Sequence, residues 1–191
     1  MAPRYSQQCR GAGSCCSQLA PGASSKVVAA AAVSTSPCVT PPPLDTPAGS
    51  GDDGLQWNIK KIGASQAWKN GIDGHGVVVA TLDGGVRYTH EALVENYRGT
   101  KDSRNQQFDH DFNWKDWAYK NDVPFDSDGH GTNVQGILSG SKASGVGVAP
   151  GSRWISGKIF NFAGYSSNEW TLSGVQWAMC PTPVGTDQHA N

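Results

Sequence analysis

Long apolar runs are what this 191-residue sequence most plainly lacks. The longest, Val27 to Val33, falls far short of the roughly 20 residues a membrane-spanning helix needs, so no bilayer crossing is expected. Charge of one sign is missing as well. Fifteen Lys and Arg stand against 16 Asp and Glu, a formal net charge of −1, which supplies no field for nucleic acid or an acidic membrane surface. Cysteines are few and poorly spaced. Cys9, Cys15, Cys16 and Cys38 fall in the first 54 residues and Cys180 alone lies in the body, with no CxxC pair and no His among the early four. That spacing argues against a zinc site, and the odd count leaves at least one thiol outside any disulfide, so the redox compartment stays open.

What is present suits one loop-rich globular domain: 24 Gly, 7 Trp and a length sufficient for a core. Residues 1–54 are rich in Ala, Ser, Pro and Gly, with Thr40-Pro41-Pro42-Pro43 near their end. Such a stretch cannot offset its ordering entropy, so a disordered low-complexity tail, or the remnant of a pro-segment, is expected there. Lys26, the apolar Val27 to Val33 and Ser34-Thr35-Ser36 have the order of a secretory leader's regions, but start late and are weakly hydrophobic.

The patterned body begins near Leu55. Gly63 to Gly71 predicts a short helix closed by a glycine, with Ala67 and Trp68 facing inward. Val77 to Leu82 is apolar at nearly every position, as in a parallel strand covered on both faces, and it delivers Asp83 to the strand's C-terminal edge. Tyr97 to Asp122 interleaves polar and aromatic residues and predicts a long surface excursion with a short strand at Phe108 to Asn113. Its acidic residues cancel the basic ones, so a packed loop is favoured over a nucleic-acid surface. His130 to Ser139 predicts a buried helix, Arg153 to Phe160 a strand, and Ser166 to Met179 a capped amphipathic helix ending near Cys180-Pro181. The alternation of strand and helix is an α/β layer pattern.

Two residues carry the chemistry. An imidazole can take a proton from a hydroxyl near neutral pH when its other ring nitrogen donates to a fixed carboxylate. Asp83 at a strand end and His130 at a helix start meet that description, provided the fold joins positions 47 residues apart. As bare residues, an Asp at a strand end is more often a turn former and a lone His more often a packed residue. A metal site at Asp126, Asp128 and His130 is the weaker alternative, since an Asp-Ser-Gly turn is commonly only a loop.

The wording of the motifs goes further. Val79-Ala80-Thr81-Leu82-Asp83-Gly84-Gly85-Val86, followed by His90-Glu91-Ala92-Leu93, resembles the Asp motif of subtilisin-like serine proteases. Asp128-Gly129-His130-Gly131-Thr132-Asn133-Val134-Gln135-Gly136 resembles their His motif, and Gly145 to Gly151 the turn that follows it. The long stretch before the His run points to the bacillopeptidase F-like branch of the peptidase S8 family. The resemblance covers about Leu55 to Cys180. It implies an α/β, parallel-sheet, three-layer fold over 55–191, a triad in the order Asp, His, Ser, polypeptide substrates, no cofactor and secretion. Asp83 would orient the imidazole and His130 would be the general base.

Departures from the pattern matter. Asn133 replaces a second, structural His, and Ala92 replaces a calcium-ligand Asp, which puts that calcium site in doubt. In subtilisin the Ser follows the His by roughly 157 residues and the oxyanion Asn by roughly 91. Here 61 residues follow His130, and no Gly-Thr-Ser-Met-Ala-Pro-like run occurs. Ser166, Ser167 and Ser173 sit in a helix-start context without a strained turn. The expectation is therefore a partial, C-terminally truncated domain with no nucleophile, inactive by itself, with a peptide- or subunit-binding homologue as the alternative. Substrate-binding residues and oligomeric state are not legible.

Overall fold

The computed structural model describes residues 26–31 and 54–186. Strand β1 is Lys26–Ala31, helices α1 and α2 are Trp57–Lys61 and Ala64–Lys69, and strand β2 is Val77–Asp83. Short strands β3, Thr100–Asp102, β4, Gln107–Phe108, and β5, Trp114–Asp116, come next. Helix α3, His130–Ser139, strand β6, Arg153–Lys158, and helix α4, Asn168–Met179, complete the order. One parallel sheet runs β1-β2-β6-β5, and β3 with β4 forms a separate antiparallel ribbon.

β2 lies inside the sheet and is apolar on both faces, so each face needs a cover. Val78, Ala80 and Leu82 pack with Ile155, Ile159 and with Trp177 and Ala178 of α4. Val79, on the opposite face, joins Val86, Leu93, Tyr97 and Trp154, and Leu138 of α3 packs on that cluster. Period-2 alternation thus sends alternate residues of β2 to two helices, which makes three layers. Each of these large buried side chains contributes about 1.5–3 kcal/mol by leaving water.

α3 seats itself by a different rule. Its buried residues are Gly131, Gln135 and Ser139, four apart and therefore on one face. Thr81 Oγ1 hydrogen-bonds Gln135 Oε1 at 2.9 Å and Ser156 Oγ at 3.1 Å, and Ser152 Oγ meets Ser139 Oγ at 3.0 Å. Small and polar groups let this helix lie close to the sheet. Ile137 remains 48% exposed, so the expectation of a buried helix is corrected: only one stripe of it is covered.

Other expectations fare unevenly. β2, β6 and α4 form where the pattern places them, with β6 ending two residues sooner, at Lys158. Ser167 caps α4, accepting from the Trp170 N–H at 3.0 Å. Gly71, with φ +79°, follows α2 as its closing residue, while Ala67 and Trp68 are only half-buried and Ala64 fills the inward place. The excursion after Tyr97 is not all surface. Its main-sheet strand is Trp114–Asp116 rather than Phe108 to Asn113, and Tyr97, Trp114 and Trp117 are buried. A strand of three residues carries too short a pattern to read, but Trp114 donates to Asn121 O at 2.8 Å and Trp117 stacks edge-on against Trp177.

The expected unstructured stretch over 1–54 is corrected at one place. Lys26–Ala31 pairs in parallel with Val77–Leu82, covering an edge of β2 that would otherwise present unpaired amides and carbonyls. The rest of that expectation lies outside the described residues.

Deleting residues 1–53 is accordingly expected to accelerate amide exchange at alternate positions of β2, those whose N–H groups face β1, while the positions facing β6 keep their protection. Unchanged exchange along all of β2 would show that β1 does not pair there.

Candidate active site

Asp83 is the last residue of β2 and is 2% exposed. His130 is the first residue of α3. Their side chains meet: His130 Nδ1 lies 2.9 Å from Asp83 Oδ1 and 3.0 Å from Oδ2. The Gly84 N–H donates to Asp83 Oδ1 as well, at 2.6 Å, which fixes the carboxylate on a third side. Both residues anticipated from the motifs are thus brought together, 47 positions apart in sequence.

Two glycines make the approach possible. A Cβ on Gly85, whose φ is +102°, would stand 1.8 Å from Phe125 O. A Cβ on Gly131 would stand 2.0 Å from Gly85 O and 3.1 Å from Asp83 Oδ1. The loop after β2 therefore touches both the loop before α3 and the first turn of α3, and Gly85 and Asp126 form an isolated antiparallel bridge. Any side chain at either glycine pushes the carboxylate and the imidazole apart.

The start of α3 is held by carboxylates. Asp128 Oδ1 accepts the His130 N–H at 2.9 Å, and Asp126 Oδ2 accepts the Thr132 N–H at 2.8 Å and also the Thr132 hydroxyl. Thr132 Oγ1 in turn accepts the Arg87 N–H at 2.9 Å. These oxygens serve helix-start amides that have no partner within the helix. Asp126 and Asp128 are therefore engaged in building the turn. No group of three His, Cys, Asp or Glu among the described residues is arranged to hold a metal ion.

Electrostatics follow the contacts. The Asp83 bond, reinforced by the charges of Asp83, Asp128 and Asp126, raises His130 above the usual imidazole range, against a smaller opposing effect of burial. Burial pushes the Asp83 carboxyl up, while the Gly84 N–H and His130 pull it down. With Nδ1 occupied by the carboxylate, Nε2 is the nitrogen left to take a proton from a hydroxyl. His130's side chain is 41% exposed, so that nitrogen is reachable. Among the described residues no serine hydroxyl hydrogen-bonds it. Ser166 Oγ bonds Thr171 Oγ1 at 3.2 Å, and Ser167 Oγ caps α4. A cleft of about 880 Å³ lies beside the pair, between the 87–93 segment and α3, but neither Asp83 nor His130 lines it.

Comparison with known proteins bears on this arrangement directly. The sequence profile of the subtilase family (Peptidase_S8) matches residues 74–191. The chain belongs to the subtilase family. It is 37% identical over 140 residues to Bacillopeptidase F of Bacillus subtilis (strain 168), covering 72% of this chain and 10% of that relative. The Major intracellular serine protease of the same organism is 30% identical over 128 residues, 65% of this chain and 37% of the relative. The Minor extracellular protease Vpr, also from that strain, is 32% identical over 124 residues, 62% of this chain and 14% of the relative. This subtilase chain thus spans well under half the length of those relatives, and its α/β parallel sheet is the subtilisin-like one the motifs imply.

One residue escaped the sequence reading. Lys158, at the end of β6, pairs in register with Asp83 and is fully buried. A lysine inside the otherwise uncharged run Trp154 to Phe160 was the available signal.

The histidines offer a test. His130 is expected to titrate above the ordinary value of about 6.5 and His110, lowered chiefly by burial beside Tyr97, below it. Asp83→Asn should bring His130 down. Because folded His130 holds its proton more tightly than the unfolded chain does, its stabilisation is complete below the ordinary value and is lost as pH rises through the raised midpoint. Proton NMR of the imidazole signals checks the order; the two midpoints reversed would contradict the geometry.

Proposed function

We propose that this subtilase chain carries the Asp and His members of a serine endopeptidase site acting on polypeptides. Asp83 holds the imidazole by Nδ1 and stabilises the imidazolium; His130 accepts the proton from a serine hydroxyl at Nε2 and later delivers it to the leaving amine. The observation that carries this reading is the paired contact of Nδ1 with both Asp83 oxygens, in a chain of the subtilase family with a relative named a serine protease. The reading includes secretion: two of the relatives are named extracellular proteases, one intracellular.

The proposal assigns no nucleophile within these residues, since Ser166 and Ser167 are committed to the start of α4. A fluorophosphonate probe is therefore expected to label no serine of the 191-residue chain. A labelled serine whose modification disappears in His130→Ala would overturn that part and identify the nucleophile. Where these residues are expressed together with a segment bearing a nucleophilic serine, casein hydrolysis should appear. Asp83→Asn should then lower kcat by on the order of 10⁴ and His130→Ala by about 10⁶. Activity that survives both substitutions would remove Asp83 and His130 from the mechanism.

A further inference from the structure

Lys158 is a fully buried cation that the Asp–His chemistry does not use. Its ammonium donates to Gly84 O, one residue beyond Asp83, and to Ser127 Oγ, three residues before His130. Thr132 Oγ1, in the first turn of α3, also touches both loops through the Arg87 N–H and Asp126 Oδ2, but Lys158 does so from the sheet and at the residues flanking the pair. The backbone of Lys158 is equally fixed: Trp117 N–H donates to Lys158 O at 3.0 Å, and Ile159 N–H donates to Asp83 O at 2.9 Å. Three rings enclose the ammonium, with centroids at 4.7 Å for Phe125, 5.7 Å for Tyr119 and 5.8 Å for Phe162. A desolvated cation is held by such ring faces, and it prefers carbonyl and hydroxyl acceptors that are themselves out of water.

We infer that Lys158 is a positioning residue for the Asp83–His130 pair: its ammonium, clamped by three aromatic rings, ties the loop after β2 to the loop before α3 and so sets the distance between carboxylate and imidazole. The inference rests on the pair acting as proposed above. The glycine-permitted touch at Gly85 allows the two loops to meet, in an isolated bridge whose Ser127 N–H···O Gly84 contact is long, at 3.4 Å. Lys158 reaches both loops from a third element, β6, which belongs to the core of the sheet. It ties both loops to the central sheet.

The charged groups around the ammonium are Asp83 at the end of β2, Asp116 on β5, and Asp126 and Asp128 before α3. Those around the imidazole are Asp83, Asp126 and Asp128. Removing the cation and loosening the loops therefore push His130 in opposite directions. Loss of a nearby positive charge favours the imidazolium, whereas a weaker Asp83 contact disfavours it. Ser127→Ala separates the two, because it deletes one acceptor and keeps the charge.

The test follows His130 by NMR in the isotope-labelled 191-residue chain, reading its titration midpoint and the low-field resonance of the Nδ1–H proton. Ser127→Ala is expected to lower the midpoint part of the way toward that of Asp83→Asn and to weaken the low-field signal, with the thermal midpoint nearly unchanged. Lys158→Met should abolish the low-field signal; should that variant not fold, Ser127→Ala decides alone. If Asp83→Asn shifts His130 while Ser127→Ala leaves both readouts at their wild-type values, the positioning role is overturned and Lys158 is only an anchor of the fold. If Asp83→Asn also leaves them unmoved, the pairing itself fails, and the endopeptidase reading with it.

Discussion

The site depends on one close approach between two backbones. The chain leaving β2 at Gly84–Gly85 runs against Phe125 and Asp126 and against the first turn of α3, leaving no room for a single Cβ at Gly85 or Gly131. The hydrogen bonds at the site, those of Lys158 included, act to hold that contact. A carboxylate and an imidazole hydrogen-bond well only near 2.7–3.0 Å, and here the separation is inherited from how near the backbones come. Glycine at these two positions is a distance requirement more than a flexibility requirement.

Around that contact the molecule divides its labour by residue type. Large apolar side chains on both faces of β2 fix the sheet, while α3 is drawn onto it through Gly131, Gln135 and Ser139. A bulkier stripe on α3 would hold the helix further off and carry His130 with it. The buried polar contacts of Thr81, Gln135 and Ser156 belong to the same economy, since they specify the helix's position along the sheet as well as its depth. Precision at the helix start is thus prepared two turns away.

The sequence discloses this architecture unequally. β2 was readable because six successive positions are apolar or β-branched, and Asp83 because a charge ends that run. His130 was readable because the turn residues ahead of it and the small residues behind it announce a helix start. β5 was not, since three residues show no period and Trp114 resembles every other aromatic of its polar surroundings. β1 was not, because Ala29 to Ala32 has low strand propensity and its pairing with β2 joins segments some 50 residues apart, across a stretch rich in proline and glycine. Lys158 was hidden for a third reason: its charge in an apolar run is visible, but a lysine's partners are decided by tertiary structure, here by rings from the stretch before α3 and from the one after β6.

The two carboxylates that cap α3 bear on how basic the histidine can be. A helix presents about half a positive charge at its N-terminus, which disfavours a cation placed there. His130 is the first residue of its helix, so the backbone itself works against the imidazolium. Asp126 and Asp128, by occupying the exposed N–H groups of Thr132 and His130, place negative charge over that same end. They shape a loop and at once cancel the helix's polarity at the one residue that must hold and release a proton. A base mounted on a helix start would otherwise lean toward its neutral form, and the acidic run before the histidine is what lets this fold put it there.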